Sequence, residues 1–307
     1  MKRLFQFLLL ASLTGPVAVQ AQTGRTDDGF ADPAFRSPVV AVEFTGQRCR
    51  YCPNLSRALK EHENHYGSEN YIITALHSLE EYSLLPGRHV SLFNKEAQEY
   101  AASIEVHSGL PQLVYNTLGP KVSDLELTDK FLEDDLLECT GQVHSADGKQ
   151  LTIDIRTRLR RNQQKVIEGK QIDILFWALE NDIVALQDDN GKFIYPAHQH
   201  IFRGSINGTW GESYTIGSTY RKTFAVPAAV SEIKNTEVVV FFLDHESRTV
   251  LDAGRFKVGN QPATAIDDVL VTDPQAPQTL YDLQGRPVTH PVSGNVYIRN
   301  GRKVIAD

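Results

Sequence analysis

EFTGQRCRYCP, Glu43–Pro53, sets two cysteines two residues apart, six positions after an acid, in a 307-residue chain with one further cysteine, Cys139. Immediately upstream, the run PVVAVEF over 38–44 is continuously apolar and β-branched, the pattern of a strand buried on both faces in a sheet with parallel character. Downstream, Leu55, Ala58, Leu59, His62 and Tyr66 recur at the spacing of one helical face that stops at Gly67, and YIITALH, Tyr71–His77, follows as a second apolar run. Strand, helix and strand make a βαβ unit. Cys49 falls where the first strand hands over to the helix. Unpaired backbone N–H groups and the positive end of the macrodipole favour a thiolate there, and Arg48 and Arg50 add positive charge. Cys52, one turn on, is positioned to resolve a mixed disulfide formed at Cys49. Pro53 suits a first helical turn, where its missing N–H costs little.

Further outward, Pro86-Gly87 interrupts the pattern, and Phe93, Ala97, Tyr100, Ala101 and Ile104 then form another helical stripe leading into HSGLPQLVYN, a turn into a third strand. Leu127, Phe131, Leu136 and Leu137 predict a closing helix, which bounds a first α/β domain over 30–139. From Thr140 the texture changes to short runs (Leu151 to Arg158, Ile172 to Leu179, Tyr214 to Val226, Val238 to Leu243, Val250 to Val258) separated by turn signals such as Ala146-Asp147-Gly148 and Asn190-Gly191. Strands without helices between them predict an all-β sandwich over 140–258. Residues 259–278, with three prolines, read as a linker, and 279–307 as a short C-terminal β-hairpin tail too small to bury its own core.

The chain opens MKRLFQFLLLASLTGPVAVQAQ, with a basic start, a short apolar run and a small-residue site before Gln22, the pattern of a secretory signal peptide over 1–21. Its apolar run is too short for a retained membrane helix. The expectation is export, with no transmembrane segment in the mature chain. A net charge of −7, mixed along the chain, offers no basic stripe for nucleic acid. Three cysteines are too few for a disulfide scaffold, which favours chemistry over stapling at the CxxC.

EFTGQRCRYC resembles the thioredoxin pattern of a strand-borne acid six residues before a CxxC, and Gly109-Leu110-Pro111 is similar to that family's cis-proline loop. The resemblance implies that Glu43 handles the proton of the second cysteine and that Pro111 is cis, its loop offering backbone pairing to a substrate beside Cys49. The family's tryptophan before the first cysteine is Arg48 here, and its Gly-Pro is Arg50-Tyr51. These changes leave the direction of exchange open. VAVEFTGQRCRYCP, AHQHIFRGSINGTWGE and VVVFFLDHESRTVLDAGRF together resemble the outer-membrane-protein-twenty-eight-related family of Gram-negative bacteria, whose members join a thioredoxin-like domain to a β-rich one. The resemblance implies periplasm, outer membrane or cell surface. LYDLQGRPV and NVYIRNGRKVIA are similar to type IX secretion sorting segments, which implies secretion machinery as a partner of the tail.

Zinc at the CxxC is disfavoured, because a helix over 52–65 carries His65 roughly 20 Å along its axis from Cys52. His198 and His200, two apart on a predicted strand, could share a face and a metal, but with no third ligand in view they read as ordinary packing residues. Cys139 reads as a small buried hydrophobe, and Trp177 and Trp210 as core of the sandwich. Two functions remain open. One is thiol–disulfide exchange on protein substrates or a redox partner, with Cys49 as nucleophile, Cys52 as resolving thiol, Glu43 as proton acceptor, Pro111 shaping the groove, and no organic cofactor. The other is a non-catalytic surface or outer-membrane binding protein that uses the same domain as a scaffold.

Overall fold

A computed structural model describes residues 38–106, 109–119, 136–160 and 163–259, together with four short strands between 280 and 305. The signal peptide, Leu127 and Phe131 of the expected helix, and nearly all of the expected linker lie outside these residues. In chain order the elements are β1 (Val39–Thr45), α1 (Cys52–Tyr66), β2 (Tyr71–His77), α2 (Glu80–Ser83), α3 (Lys95–Ser103), β3 (Gln112–Tyr115), β4 (Leu137–His144), β5 (Gln150–Leu159), α4 (Gln164–Ile167) and β6 (Ile172–Glu180). There follow β7 (Ile183–Val184), β8 (Gln187–Asp189), β9 (Lys192–Ile194), β10 (Ala197–His198), β11 (Ile201–Ser205), β12 (Glu212–Ser213), β13 (Thr219–Ala225), β14 (Thr236–Asp244) and β15 (Val250–Gly259). The tail contributes β16 (Leu280–Tyr281), β17 (Pro287–Val288), β18 (Val296–Arg299) and β19 (Arg302–Ile305), a small antiparallel sheet in the order β17-β16-β18-β19.

Most of the remaining strands belong to one mixed sheet, ordered β13-β5-β4-β15-β14-β6-β11-β2-β1-β3, with β12 alongside β6. Its N-terminal end is the expected βαβ unit: β1 pairs parallel with β2 through α1, and β3 returns antiparallel to β1. β2 then pairs parallel with β11 at Ala75 and Ile201, so the sheet continues without a break into the β-rich part. Strand alternation explains the layers. Val40, Val42 and Phe44 of β1 join Ala97, Tyr100 and Ala101 of α3 and Leu175, Trp177 and Leu179 of β6 in one core. Val39 and Ala41 face the other way, against Leu59 of α1. On that same alternation, Ile174 and Phe176 of β6 and Val238, Val240 and Phe242 of β14 meet Leu151, Ile153 and Ile155 of β5 in a second core. In place of a separate sandwich domain, the strands of the β-rich part continue one large mixed sheet that both halves of the chain build.

The closing helix expected before residue 139 is not the conformation of its last residues. Leu137 begins β4, pairs with Leu159, and donates its N–H to Asp252 Oδ2 at 2.7 Å, which puts Cys139 inside a strand. Paired leucines fit a half-buried strand as well as a helical stripe, and the antiparallel partner decides between them. Trp177 lies in the core facing α3, where its indole N–H donates to Tyr100 Oη at 3.0 Å, and Trp210 packs partly buried on the same core with Arg248 over its ring.

Candidate functional site: a covered disulfide

β1 ends at Thr45, and the loop Gly46–Tyr51 carries the first cysteine to the start of α1. Cys49 and Cys52 are joined as a disulfide, with Cα atoms 5.4 Å apart. Cys52 is the first residue of α1; Cys49 lies in the preceding turn, where its carbonyl accepts from Cys52 N–H at 3.3 Å. Pro53 occupies the first helical turn. Arg48 and Arg50 are exposed and Tyr51 is 58% exposed, but Cys49 is only 4% exposed and Cys52 1%.

The cover over the disulfide comes from the β-rich part of the chain. The side chain of Gln187, on β8, donates to the carbonyls of Gly46 at 3.2 Å and Cys49 at 3.3 Å. Asp188 N–H donates to Gln47 O at 2.7 Å and Asn190 N–H to Arg50 O at 3.0 Å. Gln47, fully buried, answers with its own amide, donating to Leu186 O and Val90 O at 3.0 Å each and accepting from Leu92 N–H at 2.8 Å. Asp189 grips Arg57 of α1 with both carboxylate oxygens, at 3.1 and 3.2 Å. The hairpin of β8 and β9 is thus a strap laced to the CxxC loop by backbone and amide bonds.

Glu43 is buried on β1, and its carboxyl is pushed up to about 7 by burial, against hydrogen bonds from Ser56 and Thr45. Ser56 Oγ donates to Glu43 Oε1 at 2.8 Å and also contacts Cys52 O at 3.2 Å, tying the acid to the first turn of α1. The Leu110–Pro111 bond is cis. Gln112 pairs with Phe44, so Pro111 sits at the end of β1 from which the CxxC loop departs. All four residues expected from sequence therefore lie at one end of the βαβ unit. Cys139 is elsewhere, on β4, unpaired, its thiol pushed far up by burial and by the charge of Asp252. On α1, His62 stacks on Tyr66 and His65 meets the same ring edge-on. Gln47 and Gln187 were not singled out from sequence; Asn190-Gly191 marked the strap's turn, and nothing local told where that hairpin docks.

Residues 139–262 match the family model of outer membrane protein Omp28. Among solved structures, HBP35 of Porphyromonas gingivalis superposes with a TM-score of 0.55 at 16% identity, over 89% of this chain and 98% of that one, a likeness of fold. A domain of the outer membrane lipoprotein Omp28 from Porphyromonas gingivalis aligns over 41% of this chain and 90% of its own, at 19% identity and a TM-score of 0.30. No curated protein matches the chain. Over residues 139–262, then, the β-rich part of the chain is similar to the outer membrane protein Omp28 family.

Proposed function

We propose that the protein is a surface- or outer-membrane-associated binding protein in which the N-terminal unit, thioredoxin-like in its order of strand, CxxC, helix, strand and cis-proline loop, serves as a scaffold closed by a static disulfide. Export to the envelope of a Gram-negative bacterium is supported by the match of residues 139–262 to the model of outer membrane protein Omp28, and among the described residues no helix is long and apolar enough to cross a membrane. The observation that carries the scaffold reading is the strap: Cys49, a residue 4% exposed whose carbonyl is capped by Gln187, is not open to an incoming chain. Attack on a disulfide needs a clear approach to one sulfur. The test is the rate at which the native disulfide is reduced and Cys49 alkylated near neutral pH. A scaffold gives rates well below those of an exposed disulfide, no insulin reduction, and surface binding that survives Cys49→Ser.

A second reading, thiol–disulfide exchange, is supported by Glu43. A buried acid whose proton comes off near neutrality, joined through Ser56 to the turn bearing Cys52, is suited to take up the proton of a resolving thiol. In that reading Cys49 attacks, Cys52 resolves, Pro111 shapes the groove, and electrons come from a partner dithiol. Fast alkylation of Cys49 with insulin reduction that Cys49→Ser abolishes would select it over the scaffold. The tail's likeness to a type IX sorting segment remains a proposal, tested by removal of the last residues in secreted material.

A further inference from the structure

Between α1 and strands β2, β10 and β11 lies a cavity of about 320 Å³, within the size range of small-molecule sites. Pro53, Ile73, Ala75, Ile194, Pro196 and Ile201 give it an apolar wall. Three histidines from different segments also line it: His77 at the end of β2, His198 on β10, and His200 just before β11. His77 is 2% exposed, and neither of its ring nitrogens has a hydrogen-bond partner; His198 Nε2 and His200 Nδ1 are likewise without one. Buried polar atoms are normally satisfied, so bare ring nitrogens around a cavity with an apolar wall mark a place where something other than this chain supplies the partner.

The chemistry of the lining narrows what that is. Arg57 is engaged by Asp189 and Lys60 by Glu63 at 2.6 Å, so neither cation stands free to hold an anion. Glu43, its carboxyl pushed up to about 7 by burial and already bonded to Ser56, is a poor partner for a cation. An uncharged guest remains. Burial keeps His77 uncharged, helped by the charges of His198 and Arg203, and burial lowers His198 as well. A neutral imidazole carries one N–H and one lone pair, so His77 offers both. His198 spends its N–H on the backbone at Ala185, which leaves Nε2 as an acceptor. The pair matches a hydroxyl group, which accepts from His77 and donates to His198. The two rings have centroids 5.9 Å apart at 74° to one another. A hydroxyl oxygen about 2.8 Å from one nitrogen of each ring lies roughly 4 Å from each centroid, so that separation subtends about 100° at the oxygen, near its tetrahedral preference.

We propose that this cavity binds a small uncharged molecule with a hydrocarbon body and a hydroxyl group, of the size and class of a phenol, the hydroxyl shared by His77 and His198 and the body held against the apolar wall. A site built to hydrogen-bond a hydroxyl rejects the analogue that lacks it, because its own buried polar groups are then left unpaired. Neither cysteine belongs to the lining, so the site does not rest on either reading of the disulfide. The sequence suggested His198 with His200; the fold sets His198 against His77, and His200 is turned toward Glu63, 3.6 Å away.

The experiment titrates the untagged full chain by calorimetry with p-cresol, with toluene, which lacks the hydroxyl, and with p-toluate, which carries a charge in its place. One saturable equivalent of p-cresol is expected, with toluene and p-toluate weaker by about tenfold or more. His198→Leu, which removes the acceptor and keeps an apolar side chain, should weaken p-cresol by about tenfold and leave toluene as it was or tighter, a reversal that collapse of the cavity would not give. His65→Gln, on the exposed side of α1 and outside the lining, should change none of the three. Near-UV circular dichroism checks the packing of His198→Leu, and if that variant does not fold, the parent's ranking of the three compounds decides. The proposal is overturned if p-cresol shows no one-to-one binding, if toluene or p-toluate binds the parent as well as p-cresol does, or if folded His198→Leu binds p-cresol as the parent does.

Discussion

Glu43 shows what a single residue costs the fold. Its folded carboxyl titrates near 7, above the ordinary value of 4.5, so between those values the folded chain holds a proton that the unfolded chain releases. Stability is therefore fullest below about pH 4.5 and declines as pH rises through 7, by roughly 3 kcal/mol in all. Glu43→Gln keeps the size and the contact with Ser56 but removes the titration. We expect its urea midpoint to be flat from pH 5 to 8 and above the parent's at pH 8; an unchanged slope in the variant would show that the acid is not the source. At this scale the sequence was most legible. Glu43, Cys49, Cys52 and Pro111 were found because one short motif and one loop bring them to the same end of β1. Gln47 and Gln187 were not, since each acquires its meaning from a partner distant in the chain, Leu186 for one and Cys49 for the other.

Among elements, the β8–β9 hairpin decides how the disulfide behaves. A surface ion pair such as Arg57–Asp189 is weakened by solvent screening, so the hold rests on the buried amides of Gln187 and Gln47. Each such bond is worth about 1 kcal/mol. Gln187→Ala should then speed reduction of Cys49–Cys52 by dithiothreitol about tenfold and lower the melting temperature by a few degrees, while Arg57→Ala should speed it less than about threefold; equal rates in all three proteins would mean that the strap opens freely. Elements with strong local signals were readable to within a residue or two: β2, β6, β14 and β15 follow their apolar runs, and α1 follows its stripe. β4 was misread because two adjacent leucines carry no period of their own, and the partner strand β5 sets their conformation.

At the scale of the molecule, the two halves are joined by charge as well as by the sheet. Glu63 on α1 is 3% exposed and meets Arg255 on β15 at 3.0 Å, while Arg255 also donates to Ser68 O at 2.7 Å. Burial opposes ionisation of Glu63, but hydrogen bonds from His200 and Lys60, with the charges of His200 and Arg255, outweigh it and hold the carboxyl far below its usual range. Arg255→Met removes one of the three cations around that carboxylate and leaves Lys60 and His200, and a loss of about 2 kcal/mol is expected in chemical denaturation. Adding Glu63→Gln should return a good part of it, which a loss due to packing alone would not do.

The pairing of Ala75 with Ile201 has a temporal side. A polypeptide delivered N-terminus first cannot cover the outer edge of β2 until β11 has followed, far downstream, and such long-range pairing is slow. Throughout that interval a strand as apolar as Tyr71–His77 offers an open template to any neighbouring chain. A substitution such as Ile201→Pro that delays this pairing should therefore appear as aggregation during folding, before any loss of the finished protein.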